Sequence, residues 1–419
     1  MRRILDLHLH SKFARACSPR LTLSNMAAVA ERKGVDIIAC GDFTHPSWFS
    51  AIKSELEEVE SSGLYRLKDN SSATLFILST EVSLVYKDGG KSRRIHLVVQ
   101  APSLESVMKL NKYLGTKYNI RADGRPILGI SAPAFVRLCL NIDNHFLIYP
   151  AHVWTPWYAV FGSKSGFNSL EDCFHEETKN IYAYETGLSS DPSMNWRLSA
   201  LDKLTCLSNS DAHSLENIGR EANIMSLFKD SYDNIYRVIK NNLRSQDLKQ
   251  EGMMATIEFY PEEGLYHLDG HRLCNFSCEP EVSSSLKNIC PVCDRPLVIG
   301  VLNRVNDLAD RPLGFQPDKA VPFRRLVELD KIIAESLGLK NRQAKKVITI
   351  YNKLIESLGS ELSILMDADI ISIRALDPLV ALGIERMRAG ELRIVPGFDG
   401  QYGRVTVFSK EDFKTVKSS

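Results

Sequence analysis

The sequence predicts an α/β fold: a barrel of parallel βα units, followed by a four-cysteine zinc-binding module and a helical C-terminal domain. Short apolar strands alternate with helical segments from Ile4 to about Leu227, which is the pattern of βα units. Four cysteines then cluster at 274–293, and glycine-ended helical segments follow them. We therefore expect three domains, at residues 1–245, 246–315 and 316–419.

The composition narrows the class of protein. With 419 residues and 44% hydrophobic content, the chain is too long for one ordinary core. The net charge of +1 argues against a globally basic nucleic-acid binder and leaves a local basic patch open. Scattered cysteines beside one cluster are typical of a reducing cytoplasm. Since no apolar run approaches the roughly 18 residues of a membrane helix and no signal-peptide pattern is present, we expect a soluble cytoplasmic protein.

The predicted elements follow one another in a regular order. Strands are expected at 4–10, 36–42, 74–86, 146–152, 181–185 and 204–213, with a hairpin turn at 87–91 leading into 94–99. Helices are expected from a cap at Thr22 or Ser24 to Gly34, and at 47–62, 104–114, 133–141, 194–203 and 231–243. Further on, a strand at 256–260 leads to helices at 323–337, 341–358 and 378–382 and to a hairpin at 392–408.

Ionisable side chains recur in or at the ends of the predicted strands, the edge where barrel enzymes assemble their sites. His8 and His10 lie two residues apart on a run of β-formers, so both imidazoles project from one face and can grip one metal. Asp211 and His213 repeat that spacing, and the other members are Asp42, Glu81, His96 and His152. One such residue alone is more often a hydrogen-bonded core group. The repetition predicts a multinuclear metal site, because burying so many unpaired ionisable groups is costly.

These residues resemble the ordered metal ligands of the PHP (polymerase and histidinol phosphatase) phosphoesterases. The resemblance implies a distorted (β/α)7 barrel with up to three metals. Carried over by position, the first metal is held by His8, His10, Glu81 and Asp211, and the second by Glu81, His96 and His152. His213 helps to hold a third. Because this chain departs from the family pattern and reads Asp42-Phe-Thr-His45, either Asp42 or His45 completes the third site.

A site of this composition suits phosphoester hydrolysis. Closely spaced divalent ions can bring the pKa of a bound water to about 7, fix the scissile phosphate and offset charge on the leaving oxygen. Mixed imidazole and carboxylate ligands suit Zn2+, with Mn2+ or Mg2+ as alternatives. Glu81 and Asp211 are the expected catalytic carboxylates. Asp191, on a polar loop at the same rim, is expected to assist a metal or water, or else to cap the next helix.

Two connections are long enough to contact a substrate. One follows His152 and mixes aromatic side chains with glycines, and the other runs from Glu185 to Trp196. Aromatic rings beside a metal can stack on a base, although packing between barrel loops is about as common a role. The candidates for a base pocket are Trp154, Trp157, Phe167, Asn168 and Asn195.

The later segments carry a metal knuckle and a basic stretch. Cys274-x3-Cys278 and Cys290-x2-Cys293 have the spacing of a closed structural Zn2+ site, with His267 and His271 as flanking residues. Between two glycine-ended helices lie Lys340, Arg342, Lys345 and Lys346. A run like this is usually a solvated face, but helix-hairpin-helix modules seat phosphates on a similar stretch. In a nuclease we expect these four side chains to contact the DNA backbone.

The order of barrel, cysteine knuckle and helical domain resembles the endonuclease Q family across nearly the whole chain, as do segments such as Gly41-Asp-Phe-Thr-His-Pro46 and Ser208-Asn-Ser-Asp-Ala-His213. The resemblance implies a metal-dependent enzyme that nicks damaged, double-stranded DNA on the 5′ side of uracil, hypoxanthine, xanthine or an abasic site, with the base flipped into a pocket. Some relatives end in a sliding-clamp peptide. This chain ends in Phe413-Lys-Thr-Val-Lys-Ser-Ser without one, so clamp binding is not expected unless the tail is shortened.

Two other functions are open on the sequence. A small-molecule phosphatase of the histidinol-phosphate type explains the barrel but leaves about half of the chain without a role. A non-catalytic scaffold that binds DNA through its tail is disfavoured, because the metal-ligand set is nearly complete.

Overall fold

The computed structural model describes residues 1–409 and residue 412. The strands are β1 (Arg2–Asp6), β2 (Ile37–Ala39), β3 (Leu56–Glu58), β4 (Leu64–Leu67), β5 (Leu75–Asp88), β6 (Lys91–Ala101), β7 (Ile127–Leu128), β8 (Leu147–Pro150), β9 (Ala183–Glu185), β10 (Thr205–Leu207), β11 (Ala222–Ser226), β12 (Gly252–Glu258), β13 (Asp269–His271), β14 (Phe276–Cys278), β15 (Phe323–Arg325), β16 (Arg393–Val395) and β17 (Arg404–Thr406).

The α-helices are α1 (Leu23–Lys33), α2 (Pro46–Glu55), α3 (Leu104–Lys117), α4 (Ala132–Ile142), α5 (Leu170–Phe174), α6 (Pro192–Asn195), α7 (Tyr232–Lys240), α8 (Pro280–Ser285), α9 (Val301–Leu308), α10 (Leu329–Ser336), α11 (Lys345–Leu358), α12 (Glu361–Met366), α13 (Ile370–Leu376) and α14 (Pro378–Ala389). Within the described ranges, none of them has both the length and the apolar character needed to cross a bilayer. The segment 413–419, expected to lack a clamp-binding peptide, lies outside the described residues.

Seven strands close into the predicted barrel. The strand pairs β1–β2, β2–β5 and β9–β10 are parallel, whereas β5–β6 and β6–β8 are antiparallel. Beyond β8, the amide of Val153 donates to the carbonyl of Glu185 at 3.0 Å, which joins β8 to β9. Leu9, just after β1, bridges to Ala212, just after β10, and completes the ring. The reversed strand β6 is what distorts the barrel.

Three further strands extend the sheet outward from β1, outside the barrel. β11 and β12 extend the sheet in antiparallel steps, and β15 adds to β12 in parallel. The strand expected at 256–260 is therefore part of β12 and joins a later segment of the chain, as expected. Strands from the first, second and third predicted domains thus share one sheet, and the domain limits at 245 and 315 stay a prediction.

Several helix ends follow the local signals, but three do not. Thr22 caps α1 and Gly34 ends it at a φ of 85°, as predicted. The helix expected at 47–62 stops at Glu55 because the chain turns into β3, and the helix expected at 323–337 begins with strand β15. Gly383 was expected to end a helix but lies inside α14, where a β-carbon would come within 2.7 Å of Ile332. It is a packing glycine between α14 and α10.

A charged cluster fixes the start of the C-terminal helices. Arg342 donates to Asp330 at 2.6 Å and to Glu328 at 3.2 Å, and Lys33 of the barrel lies 3.8 Å from Glu361. The Glu328 side chain is only 8% exposed. The Arg342 guanidinium pairs with these two carboxylates, and its expected contact with a DNA backbone stays a prediction. Lys340, Lys345 and Lys346 are exposed.

Replacing Arg342 by Ala should destabilise the protein by roughly 3 kcal/mol, because it leaves buried Glu328 without its cation. The partial exposure of the Arg342 side chain, 29%, makes this an upper value. Urea unfolding measures the effect. The control Lys345→Ala removes an exposed charge three residues away and should shift stability by less than about 0.5 kcal/mol. Equal losses of stability in the two variants would show that the Arg342 ion pairs are no more important for stability than an exposed lysine.

The Arg342→Ala deficit should also depend on pH in one direction. Burial opposes ionisation of Glu328, but Arg342 outweighs burial and lowers the pKa of this carboxyl to about 2 from an ordinary 4.5. The stabilisation is then complete above about pH 4.5 and is lost as the pH falls toward 2. Unfolding measured across that interval should show the two proteins converging in acid.

Candidate active site

The barrel strands place their ionisable side chains by simple register rules. In the β5–β6 pair, His96 lies opposite Ser83, two residues from Glu81. Glu81 and Ser83 share one face of β5, so His96 is the diagonal neighbour of Glu81 on that face. His8 and His10 follow the end of β1, His152 follows β8 and Asp211 follows β10. All of these strand ends open toward one cluster, as the repeated pattern predicted.

The cluster consists of two groups that share Glu81. His8, His10, Glu81 and Asp211 form one group that could hold a metal ion, and Glu81, His96 and His152 form the other. Glu81 Oε2 lies 3.3 Å from His10 Nε2, whereas Glu81 Oε1 lies 2.8 Å from His96 Nδ1 and 3.2 Å from His152 Nε2. Glu81 is fully buried. Its two oxygens therefore face two different ligand groups, which is the arrangement of a bridging carboxylate.

Strained backbone surrounds the cluster. Asp42, His152 and Asp211 have φ values of 45°, 30° and 46°, a region that residues other than glycine rarely adopt. At Gly187 a β-carbon would lie 2.4 Å from the β-carbon of His152, so only glycine fits there. Strain of this kind costs on the order of 1–3 kcal/mol per residue and tends to collect at functional sites.

Carboxylates behind the histidines fix which ring nitrogen faces the cluster. His8 Nδ1 lies 3.0 Å from Glu185 Oε2, and His10 Nδ1 lies 3.0 Å from Asp42 Oδ1. The Nε2 atoms of both rings and Oδ1 of Asp211 are buried without a hydrogen bond of acceptable geometry, although His10 Nε2 and Asp211 Oδ1 are only 3.0 Å apart. Buried polar atoms are rarely left in this state, and carboxylate–histidine pairs typically orient metal ligands. The residues present therefore fit a bound cation.

The electrostatics of the cluster also favour cations. Burial alone would raise the pKa of Glu81, but His96 and Arg125 outweigh it and hold this carboxyl well below its usual value. Burial opposes charging of His8, yet Glu185 and Asp211 raise its pKa to about 9. Burial lowers the pKa of His96 to about 4, which leaves that ring neutral and able to bind a metal. Protons and metal ions therefore compete for His8, and metal binding should release protons.

The chain is similar to known proteins over part or nearly all of its length. The family described as the MJ0043 C-terminal domain matches residues 328–391. The uncharacterized protein MJ0043 of Methanocaldococcus jannaschii is 30% identical over 260 residues, which are 60% of this chain and 31% of that protein, so the chain spans about a third of it. The uncharacterized protein YqxK of Bacillus subtilis is 29% identical over 420 residues, 96% of this chain and 98% of that protein.

Two solved structures match over nearly their full length with a TM-score of 0.85. One is the lesion-specific endonuclease PfuEndoQ from Pyrococcus furiosus, with 28% identity and 99% of each chain covered. The other is endonuclease Q in complex with a 27-mer duplex substrate carrying an abasic lesion at the active site, with 29% identity and 98% of each chain covered. The chain has the fold of endonuclease Q. The family resemblance drawn from the metal ligands is thus confirmed as a structural likeness of the whole chain.

Within this endonuclease Q fold, the third metal position predicted from the sequence does not form a ligand group among the described residues. Asp42 is used to hold His10 and to accept from the amide of Ser11 at 2.6 Å. His45 Nε2 lies 3.2 Å from the carbonyl of Arg121, and its ring stacks on Phe13. Asp42 thus orients the His10 ring, and its expected role as a metal ligand stays a prediction. His213 lies beside the cluster, its ring 4.7 Å from that of His10, and remains a predicted ligand.

Asp191 occupies the alternative position considered from the sequence, the cap of the next helix. Its Oδ1 accepts from the amide of Met194 at 2.9 Å, and its Oδ2 pairs with Arg325 on β15. The side chain is fully buried. Asp191 thus joins α6 to β15, and its expected catalytic role stays a prediction.

The loop residues expected to form a base pocket are mostly used in packing. Trp154 is buried, and its Nε1 donates to Asn195 Oδ1 at 2.7 Å. Phe167 is buried beneath the guanidinium of Arg93, and Asn168 accepts from Arg304 at 2.8 Å. Four of the five expected pocket residues therefore make contacts within the protein, and a base pocket formed by all five stays a prediction. Trp157 is 40% exposed and stays a candidate.

The cysteine knuckle also differs from the prediction in one ligand. The described residues that gather there are His271, Cys274, Cys290 and Cys293. Cys293 Sγ lies 3.3 Å from His271 Nδ1. Cys278 lies outside the group, so the expected four-cysteine set is corrected to three cysteines and one histidine. The C-x3-C spacing suggested Cys278, whereas His271 reaches the group from the end of the hairpin strand β13, which spacing alone does not reveal.

Three residues of the two sites were missed from the sequence. Glu185 lies at the end of β9 and was visible as a strand-end carboxylate. His271 stood three residues before Cys274 but was read as a flanking residue. Arg125, whose Nη1 lies 3.0 Å from Glu81 Oε2, comes from the connection between α3 and β7 and carries no motif. Only the three-dimensional path of that connection brings it to the cluster.

Metal content distinguishes the two ligand sets of the knuckle. His271→Ala should lose about one equivalent of tightly bound metal per chain, because one of four ligands is removed. Cys278→Ser should keep it. Elemental analysis of both purified variants, with the unmodified protein as reference, measures the difference. Loss of metal from Cys278→Ser with retention in His271→Ala would restore the four-cysteine set.

Proposed function

We propose that the protein is a metal-dependent DNA repair endonuclease. It nicks duplex DNA on the 5′ side of deaminated bases (uracil, hypoxanthine and xanthine) and of abasic sites, and the target base is flipped out beside the metals. The single observation that carries the proposal is the bridging position of Glu81 between two buried ligand groups. The full-length likeness to an endonuclease Q bound to lesion DNA supports this substrate class.

The chemistry follows from the ligand set. His8, His10, Glu81 and Asp211 would hold one divalent ion, and Glu81, His96 and His152 the other. Bound there, Zn2+, or Mn2+ or Mg2+, would supply a hydroxide at neutral pH and offset charge on the scissile phosphate. The protein's own contribution is to fix the ligands: Glu185 and Asp42 set the imidazole tautomers, and the closed barrel keeps Glu81 dry. Zn2+ also suits the thiolate and imidazole donors of the knuckle.

The rim of the cluster offers aromatic rings to an unstacked base. Tyr158 follows exposed Trp157, and its ring lies 4.6 Å from that of the ligand His96. Tyr158 has a φ of 62°, so the loop holds this ring at the cluster at a cost in backbone strain. Base–aromatic stacking contributes about 1–3 kcal/mol per base. Flipping costs a few kcal/mol and less at a mismatched pair, so a lesion that pairs poorly is favoured.

A small-molecule phosphatase is the second candidate, supported by the same metal ligands. It gives no role to the cysteine knuckle or the C-terminal helices. The two functions are separated by substrate: the phosphatase releases phosphate from phosphomonoesters such as histidinol phosphate, and the endonuclease leaves a nicked duplex.

Replacing Glu81 by Ala or Asp211 by Ala should abolish nicking, with at least about a thousandfold loss of rate, because each removes a ligand carboxylate from the hydrolytic centre. The assay uses a labelled duplex with one deoxyuridine or abasic site and added Mn2+, with an undamaged duplex as control. Glu57→Ala, which removes an exposed carboxylate on β3, should leave the rate unchanged.

Two outcomes would refute the proposal. Equal cleavage of damaged and undamaged duplexes would remove lesion specificity. Hydrolysis of phosphomonoesters without any nicking would favour the phosphatase.

The exposed lysines Lys345 and Lys346 should contact DNA phosphates. Replacing both by Ala should weaken binding to every duplex and reduce the slope of log K against log salt by about 2, since each phosphate contact contributes about 0.9. Fluorescence anisotropy at several salt concentrations gives the slope. If the slope does not change, the two lysines belong to an ordinary solvated face.

A further inference from the structure

Arg125 lies at the edge of the metal cluster and pairs with the carboxylate that the cluster shares. Its Nη1 is 3.0 Å from Glu81 Oε2, the oxygen that also faces His10 Nε2 at 3.3 Å. The Arg125 side chain is 22% exposed, whereas that of Glu81 is fully buried. The guanidinium therefore reaches from a buried ligand to the solvent side of the site.

The position of Arg125 is built by the connection 118–126 that carries it. The amide of Gly124 donates to the carbonyl of Phe13 at 2.9 Å, and the carbonyl of Pro126 accepts from the amide of Ser83 at 3.0 Å. A β-carbon on Gly124 would lie 2.5 Å from Asp42 Oδ2, so this backbone packs directly against the carboxylate that orients His10. The connection is tied to the ligand-bearing segments on both sides of Arg125.

A guanidinium and a divalent cation compete for the same carboxylate oxygen. A cation held between His10 and Glu81 Oε2 would repel Arg125, and two charges a few ångströms apart interact by several kcal/mol even at an effective dielectric constant of about 20. The released guanidinium keeps its planar N–H donors, and two of them can donate hydrogen bonds to two oxygens of one phosphate. Its partial exposure places those donors where a phosphate could approach.

We propose that Arg125 is a phosphate-binding residue of this site. In the metal-free site Arg125 neutralises Glu81. With cations bound by the ligand groups, its guanidinium would turn to an oxygen of a bound phosphate. That this phosphate belongs to a DNA backbone rests on the proposed function. The competition between Arg125 and metal for Glu81 does not.

The first test is metal binding without DNA. Chelator-treated protein is titrated with Mn2+ in a calorimeter, and Arg125→Gln should bind about tenfold more tightly than the unmodified protein because its competitor for Glu81 is gone. Arg121→Gln, which changes an exposed arginine on the same connection, serves as the matched control and should bind normally. A gain of affinity cannot come from misfolding. Weaker or equal Mn2+ binding by Arg125→Gln would overturn the proposal.

The second test is binding of inorganic phosphate to the Mn2+-loaded protein. Arg125→Gln should bind phosphate about tenfold more weakly, and Arg125→Lys, which keeps the charge without the fork, should fall between the two. Unchanged phosphate affinity in Arg125→Gln would overturn the proposal while leaving nicking by the unmodified protein untouched. If the unmodified protein nicks no DNA but both shifts are observed, the proposed function fails and Arg125 still stands as the phosphate residue.

Discussion

The site depends on keeping one ionised carboxylate, Glu81, fully buried in the barrel. Removing a carboxylate from water is costly, so its charge must be balanced on every side. Here His152 and the neutral ring of His96 lie against one oxygen, and His10 and Arg125 lie against the other. The buried charge makes Glu81 suitable as a carboxylate shared by two metal ions. A cationic group that leaves one of its oxygens must be replaced by another cation.

The barrel distortion and the position of the cluster have the same cause, the antiparallel strand β6. Because β6 runs against β5, the strand that follows Glu81 returns across the same face and brings His96 to its diagonal position. A regular parallel unit would have inserted a helix between the two strands and moved the next ligand to a strand end. The long hairpin therefore sets a mid-strand ligand pair, while His8, His10, His152 and Asp211 come from strand ends as in other barrels.

The sequence predicted the site residues that recur at the ends of strands. It did not predict the residues that reach the site through irregular loops. His8, His10, Glu81, His96, His152 and Asp211 each lie on or just beyond a strand, so their convergence follows from the α/β alternation. Asp42 and Asp191 have the same strand-end or loop placement, yet their oxygens are used by His10 and by the α6 cap. Which partner a carboxylate takes depends on sub-ångström placement of neighbouring loops, and no residue pattern encodes that. For the same reason the sequence did not point to Arg125, and it indicated Cys278 rather than His271 as the fourth residue of the knuckle.

The packing of the aromatic loop bears on how specificity could arise. With Trp154 bound to Asn195 and Phe167 packed under Arg93, much of the loop after His152 is used in packing rather than in a pocket. Trp157 and the strained Tyr158 then remain as candidate base contacts, and the Tyr158 ring lies 4.6 Å from that of His96. Stacking on these rings does not distinguish one base from another, since every base has a π face. For the proposed endonuclease, discrimination would then come mainly from the cost of extracting the base, which is lowest for lesions that pair poorly or lack a base altogether.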